Sequence, residues 1–373
     1  MKVMVVFGTR PEAIKMCPLV LELKKYSDIK VVVCLTGQHR EMLRQVMDAF
    51  GIKEDYNLDI MKKNQSLAAI TTGVLDGLED ILIREAPDIV LVHGDTTTSF
   101  AAALSCYYHK IPVGHVEAGL RTGNIYSPYP EEMNRLLIGR IASFHFAPTD
   151  KNCTNLEHEG IKDGVYVTGN TVIDSFATTV RDGYSFHEPL LNGLNNDAHK
   201  IILVTAHRRE NLGRPLENIC LALKEIALSN PDVMVVYPVH MNPAVREPVH
   251  RILEGNSRIL LMDPIDVLDM HNLMSICYMV MTDSGGLQEE APHFGKPVLV
   301  MRNETERPEA VDAGTVRVVG TDLKKLVMEA SLLLSNHEKY QKMAKAVNPY
   351  GDGHASERIV NILRSLDFKD RMG

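Results

Sequence analysis

Three acidic residues stand just beyond apolar runs in the first half of the chain. Asp95 follows "VLVHG", Glu117 ends "VGHVEAG", and Glu131 opens a helical stretch in "YSPYPEEMNR". Carboxylates at the carboxyl ends of consecutive strands in one doubly wound sheet can converge on one edge. Converging carboxylates supply a general base and a general acid when their surroundings split their pKa values. Each residue also has a simpler use. Asp95 precedes a Thr-rich helix start and reads as an N-cap. Glu117 reads as a buried, satisfied carboxylate, and Glu131 and Glu132 as first-turn complements to a helix dipole. A metallophosphatase use of Gly94-Asp95 would need further Asp and His partners at strand ends, and "VTGNTVID" does not supply them. The combination of the three acids is what points to acid–base chemistry.

The second half offers cations and glycines. "LVTAHRRENLGRP" places His207, Arg208 and Arg209 past a strand, and "MRNETERPEAV" adds Arg302 and Arg307. In a chain of formal charge −8, such local clusters are where an anion would be held. "MVMTDSGGLQEEAPHFGKPVLV" runs from an apolar strand through Ser284, Gly285 and Gly286 into a helix, whose first N–H groups attract phosphate. Glu290, one turn further on, can accept from ribose hydroxyls, so the stretch fits a nucleoside diphosphate; plain capping by Gln288 and the glutamates is the alternative. Near the start, "VFGTRPEAIK" sets Arg10 and Lys15 beside a helix that Gly8 and Pro11 help begin. These cations bind phosphate or are solvated. Neither G-x-G-x-x-G nor G-x-x-x-x-G-K-[ST] occurs, which argues against a dinucleotide cofactor and a P-loop.

Positioning these residues requires strands with helices between them. "VMVVF", "KVVVCL", "DIVLVHG", "PVGHVEAG", "FHFAP" and "VYVTG" in the first half, and "KIILVTAH", "DVMVVYPV", "RILLMD", "YMVMTD", "KPVLVM" and "VRVVG" in the second, alternate with helical periods. The fold class expected is α/β: parallel sheets covered on both faces, as two Rossmann-like domains facing a cleft. The pattern thins between Asp182 and Ala198, which reads as the linker. The expected domains are 1–183 and 184–353, with a C-terminal helix at 354–373 crossing back to the first through Ile359, Ile362 and Leu363. The acidic balance argues against nucleic acid as partner. Six cysteines without a C-x-x-C pair read as reduced thiols, not as a zinc site. With no secretory pattern and no membrane-length apolar run, a cytoplasmic protein is expected.

The motifs together, "VFGTRPEAIKM", "TGQHREML", "VHGDTTT", "GHVEAGLRT", "YSPYPEEMNR", "TGNTVID", "VTAHRREN", "YPVHMNP", "TDSGGLQEEAP", "GKPVLVMR", "TERPEAV" and "NPYGDG", resemble the non-hydrolysing UDP-N-acetylglucosamine 2-epimerases of bacteria, in order and over nearly the whole chain. The resemblance implies the glycosyltransferase-B fold. It also implies interconversion of UDP-N-acetylglucosamine and UDP-N-acetylmannosamine for polysaccharide synthesis, with no cofactor and no metal, by a homodimer. Carried over by motif, Asp95, Glu117 and Glu131 would be the catalytic acids, with His207 at the diphosphate. Arg10, Lys15, Ser284, Gly285, Gly286, Glu290 and Arg307 would hold UDP. Gln38, His39 and Arg208 match a region where some members bind a second, activating UDP-N-acetylglucosamine. One departure stands out: the nucleotide-base loop, "MDPIDVLDMHNLM", carries Ile265 and Met270 where members often have Gln and aromatic residues.

The C2 proton of a pyranose is not next to a carbonyl, so a base needs help to remove it. If the C1–O bond to UDP breaks as the proton leaves, positive charge at C1 acidifies C2. Elimination to 2-acetamidoglucal and re-addition of UDP after protonation on the opposite face give the epimer. Two rivals are a glycosyltransferase of the same fold, which would need an acceptor site, and a sugar-nucleotide sensor, which would not need three acids. A hydrolysing epimerase is a variant of the first reading.

Overall fold

The structure, a computed structural model, describes residues 1–37, 40–60, 62, 65–194 and 198–366. It divides into two compact units. The first comprises Met1–Thr178 together with the chain from Tyr350 on, and the second comprises Thr179–Pro349.

The first unit is built on β1 (Lys2–Phe7), β2 (Lys30–Leu35), β3 (Tyr56–Asn57), β4 (Ile89–His93), β5 (Val113–Val116), β6 (Phe144–Ala147) and β7 (Val165–Val167). Their order is β3-β2-β1-β4-β5-β6-β7, with every pairing parallel. The interior strands β4, β5 and β6 are buried along their whole length, as expected where helices cover both faces. The second unit has β8 (Lys200–Thr205), β9 (Val233–Pro238), β10 (Ile259–Met262), β11 (Met279–Thr282), β12 (Val298–Val300) and β13 (Val316–Val318), in the parallel order β10-β9-β8-β11-β12-β13. In each sheet the order reverses beside the first strand, and ligands of such sheets bind outside the carboxyl ends at that point. All twelve apolar runs are strands. The two-residue β3 is the addition, too short to leave an alternating pattern.

Helix starts follow local chemistry. The helix Arg10–Lys24 is opened by a capping box: the Glu12 backbone N–H donates to Thr9 Oγ1, and Glu12 Oε2 accepts from the N–H of Gly8 and Thr9 at 3.0 and 2.7 Å. The other Glu12 oxygen accepts from Thr96 Oγ1 and Ser99 Oγ, both at 2.8 Å. One buried carboxylate thus ties the turn after β1 to the turn after β4.

The stretch read as a linker packs on the second unit. Thr179 Oγ1 meets His271 Nδ1 at 2.8 Å, and the Arg181 N–H donates to Asn272 Oδ1 at 3.0 Å. Buried Asp269 accepts from Tyr184 Oη and from the N–H groups of His187 and Glu188. The units therefore part between 178 and 179, about five residues before the expected boundary. The C-terminal helix Ala355–Ser365 lies in the first unit. It buries Ile359, Val360 and Leu363, and its first N–H groups are accepted by Asp174. All six cysteines are free, five of them buried. Among the described residues no helix is long and apolar enough to cross a membrane.

Candidate active site

In the first unit the three acids line one cavity of about 440 Å³, with Lys15, Glu12, His93 and Asn134 among its walls. Asp95 enters from the turn after β4, Glu117 from the end of β5, and Glu131 from the first position of the helix Glu131–Ile141.

Glu117 adopts φ of +63°, a left-handed conformation that a non-glycine residue holds only under the constraint of its surroundings. Its neighbour Gly119 has φ of +87°, and a Cβ there would lie 2.2 Å from the Asn152 carbonyl oxygen, so only glycine fits. The strain is held by polar contacts. Glu117 Oε2 accepts from Lys15 Nζ and, at 3.0 Å, from Asn170 Nδ2, and it lies 3.6 Å from His93 Nε2. Burial alone would raise the Glu117 pKa. The Lys15 ammonium, hydrogen-bonded to it, and the His93 ring facing it outweigh burial and hold it well below the usual carboxylate range.

Asp95 is held differently. Arg135 Nη2 donates to Asp95 Oδ2 at 2.5 Å while Nη1 donates to Glu132 Oε2 at 3.0 Å, and Asn134 Nδ2 reaches the Asp95 carbonyl at 2.8 Å. Glu132, 1% exposed, also accepts from the N–H groups of Thr122 and Gly123. One helix therefore brings Glu131 to the cavity and, from residues three and four positions on, fixes Asp95. Glu131 has no such donor at Oε2, which is buried without a hydrogen-bond partner among the described residues. The three acids thus have three different environments. His115 supports the Asp95 turn from beneath: its Nε2 lies 2.7 Å from the Gly94 carbonyl oxygen, which can only accept, so Nε2 carries the proton. Burial pushes His115 down to about 3, so it stays neutral.

In the second unit the anion-directed residues gather where β8 and β11 end. Buried Asp283 organises them. Its Oδ2 accepts from the backbone N–H of His207 and Arg208, both at 2.8 Å, and from Asn211 Nδ2 at 3.0 Å. The His207 ring stacks on His240 with centroids 5.1 Å apart. Burial lowers the His207 pKa; Asp283 opposes that, while His240 and Arg208 add to it. His207 is thus neutral near pH 7, and can donate one hydrogen bond and accept one. The short helix Gly285–Glu290 begins at Ser284 with no side-chain cap. A Cβ on Gly285 would lie 3.6 Å from Arg307 Nη2 and 3.8 Å from Arg208 Nη2, so two guanidinium groups flank that helix start. Arg208 Nε is buried with no hydrogen-bond partner among the described residues. The adjacent glutamates divide their tasks: Glu289 pairs with Arg307, whereas Glu290 lies 3.7 Å from His271 Nε2 and beside Gly286.

The remaining expected residues fall as follows. Arg10 is half-buried at the first position of its helix, and Lys15 is bonded to Glu117. Arg208 sits with Gly285 and Arg307, while Gln38 and His39 lie outside the described residues. Ile265 is buried and Met270 half-buried. Sequence reasoning passed over His93, Arg135, Asn170 and Asp283. His93 and Asp283 stand at strand ends inside quoted motifs, and Arg135 follows Glu131 by one helical turn; those positions were the available signal.

Two doubly wound parallel sheets, one edged by convergent carboxylates and the other by arginines around a glycine-rich turn, define an enzyme of the glycosyltransferase-B fold. A family model described as UDP-N-acetylglucosamine 2-epimerase matches residues 21–364. The UDP-N-acetylglucosamine 2-epimerase of Bacillus subtilis is 56% identical over 364 residues, covering 97% of this chain and 95% of that protein. The enzyme of the same name from Escherichia coli K12 is 53% identical over 372 residues, covering 98% and 99%. The crystal structure of the UDP-GlcNAc 2-epimerase of Neisseria meningitidis bound to UDP-GlcNAc superposes with a TM-score of 0.90 at 50% identity, covering 98% of this chain and all (100%) of that one. The chain belongs to the non-hydrolysing bacterial UDP-N-acetylglucosamine 2-epimerase family, and so to the isomerases.

Proposed function

We propose that this chain interconverts UDP-N-acetylglucosamine and UDP-N-acetylmannosamine by eliminating and re-adding UDP through 2-acetamidoglucal. The observation that carries the reading is the first-unit cavity, where Asp95, Glu117 and Glu131 meet in three different environments. The sugar end of the substrate is assigned to that cavity and the diphosphate end to Ser284, Gly285, Gly286, Arg208 and Arg307. In the elimination the C2–H electron pair becomes the C1=C2 double bond, the C1–O pair leaves with UDP, and a carboxylate takes the proton. Leaving-group charge is received by the arginines, His207 and the N–H groups at Gly285 and Gly286. One well-placed donor of this kind is worth about 3 kcal/mol in the transition state. A second carboxylate returns a proton to the opposite face of C2, and UDP adds back at C1. Arg10 and Lys15 near the diphosphate, Glu290 at the ribose, a homodimer, a second activating UDP-sugar and a supply role in polysaccharide synthesis belong to this reading as what the family resemblance implies.

The test is incubation with UDP-N-acetylglucosamine in deuterated water without added nicotinamide. The expected product is UDP-N-acetylmannosamine carrying deuterium at C2, read by mass spectrometry and proton NMR. Free N-acetylmannosamine as the main product would replace this reading by hydrolysis, and epimer with protium retained at C2 would count against solvent-exchanging elimination.

Gly286→Val tests the diphosphate assignment. A Cβ there meets only the ends of two side chains, Glu290 Oε1 at 3.0 Å and Ser284 Oγ at 3.9 Å, so the fold should absorb it. The rest of the branched side chain would fill the space assigned to phosphate. UDP affinity measured by calorimetry is expected to fall at least a hundredfold with the melting temperature nearly unchanged. Wild-type affinity in the folded variant would remove UDP from this turn.

A further inference from the structure

The motif "TGNTVID" supplies none of the acids or cations assigned to the substrate, yet through Asn170 it touches Glu117. This residue is 3% exposed and caps the short helix Thr171–Asp174, its Oδ1 accepting from the Val172 N–H at 3.1 Å. That bond identifies the oxygen end of the amide, so the other end is the donor. The donor end, Nδ2, gives its hydrogen bond to Glu117 Oε2 at 3.0 Å. Asn170 is itself fixed from behind, its N–H donating to the Tyr350 carbonyl at 2.7 Å. Lys15 Nζ donates to the same Glu117 oxygen, and His93 Nε2 faces it. The donors therefore converge on Oε2. The other oxygen, Oε1, lies 3.8 Å from where a Cβ on Gly94 would stand, beside the turn that carries Asp95.

We propose that Asn170 is a positioning residue for Glu117: it commits Oε2 to the protein and so leaves Oε1 as the oxygen that exchanges the C2 proton. The proposal rests on the reading of Glu117 as an acid–base residue. Rotation of a glutamate carboxylate about its last torsion is soft and roughly two-fold. Without a directional donor the two oxygens would trade places, and a single geometry toward C2 would be lost. Lys15 supplies charge but little direction, because an ammonium rotates its three donors freely. The planar amide of Asn170, locked by its capping bond, supplies the direction.

The capping and donating roles can be separated. Ser and Asp are strong N-caps like Asn, so Asn170→Ser and Asn170→Asp keep an acceptor for Val172 while losing the Nδ2 donor. Asn170→Ser is expected to lower kcat at least tenfold with KM and UDP affinity unchanged and with a melting temperature close to wild type. Asn170→Asp, which also sets a like charge against Glu117, is expected to lower kcat further. In a Glu117→Gln background, Asn170→Ser should have no additional effect on residual C2 exchange, because its target is already gone. A role confined to helix capping predicts wild-type kcat in Asn170→Ser, and that result would overturn the proposal, as would an additive loss in the double variant. If Glu117→Gln is inactive and Asn170→Ser fully active, this inference alone fails. If Glu117→Gln itself turns over normally, the acid–base reading of Glu117 fails and this inference falls with it.

Discussion

Glu117→Gln is expected to lower epimerisation at least a hundredfold while UDP binding stays at its wild-type value. The substitution keeps nearly the same shape and replaces the one group in the first-unit cavity whose ionised form is held by Lys15, Asn170 and His93 together. Loss of a positioned general acid or base removes about 10²–10⁴ in rate. The residues from His207 to Arg307 assigned to the diphosphate lie in the other unit and are untouched, and Arg10 and Lys15, which the resemblance adds to them, keep their charges. Calorimetry with UDP and a coupled turnover assay read the two halves of this expectation separately. The backbone at Glu117 is already left-handed, and Gln accepts that conformation no worse than Glu, but Lys15 loses its buried counter-charge, so the melting temperature should fall while the protein stays folded at the temperature of the assays. Turnover within threefold of wild type would make Glu117 a structural carboxylate, held in place by an ion pair and nothing more.

Lys15→Met breaks the same ion pair from the other side and should also lose stability as well as activity. The Lys15 and Glu117 side chains are only 13% and 11% exposed, so screening by solvent is weak. Met keeps the apolar stem and deletes the charge. Removing one partner of a buried ion pair costs about 3–5 kcal/mol, because the survivor is left charged in a poor solvent. The sign of the pH dependence follows from the direction of the shift. In the wild type the folded-state pKa of Glu117 lies below its ordinary value. Its contribution is therefore fully present above the unfolded pKa of about 4.3 and lost as pH falls through the folded pKa. In the variant, burial is opposed by His93 and Asn170 without Lys15, so the folded pKa rises from its wild-type value. The variant's native state then holds its proton to higher pH than the wild type's, so it loses stability relative to the wild type as pH rises. Urea unfolding of both proteins between pH 4 and pH 8 should show the stability gap widening with pH. A gap that is constant across that range would mean that Lys15 and Glu117 are not electrostatically coupled in solution.

The division between what was readable in the chain and what was not follows the range of the forces involved. Strands and their alternation with helices are set by burial over a handful of neighbours, and each of the twelve apolar runs became a strand. The two-residue β3 escaped because it pairs with β2 without an apolar period of its own. The stretch 182–198 looked like a linker because its apolar residues are sparse. Asp269 of the second unit accepts three hydrogen bonds from it, and hydrogen bonds of that kind leave no periodic trace.

Local chemistry determined where the candidate residues would stand along the chain: at strand ends, on turns that require glycine, and in the first turns of helices. That much is fixed by residues a few positions apart, and it was enough to select Asp95, Glu117, Glu131, His207 and the Ser284 turn. Which partner each would meet was decided only by tertiary structure. Lys15 and Glu117 are 102 residues apart, and Asn170 and Glu117 are 53 apart, so nothing in either neighbourhood dictates their pairing. The sheet order, with β1, β4 and β5 side by side, sets those side chains at one edge. Burial there strengthens charge–charge and hydrogen-bond interactions to the point where they hold a strained backbone at Glu117 and depress its pKa. A carboxylate's identity is written in the sequence; its basicity, and the oxygen it presents, depend on neighbours that only the folded chain brings within a few ångströms.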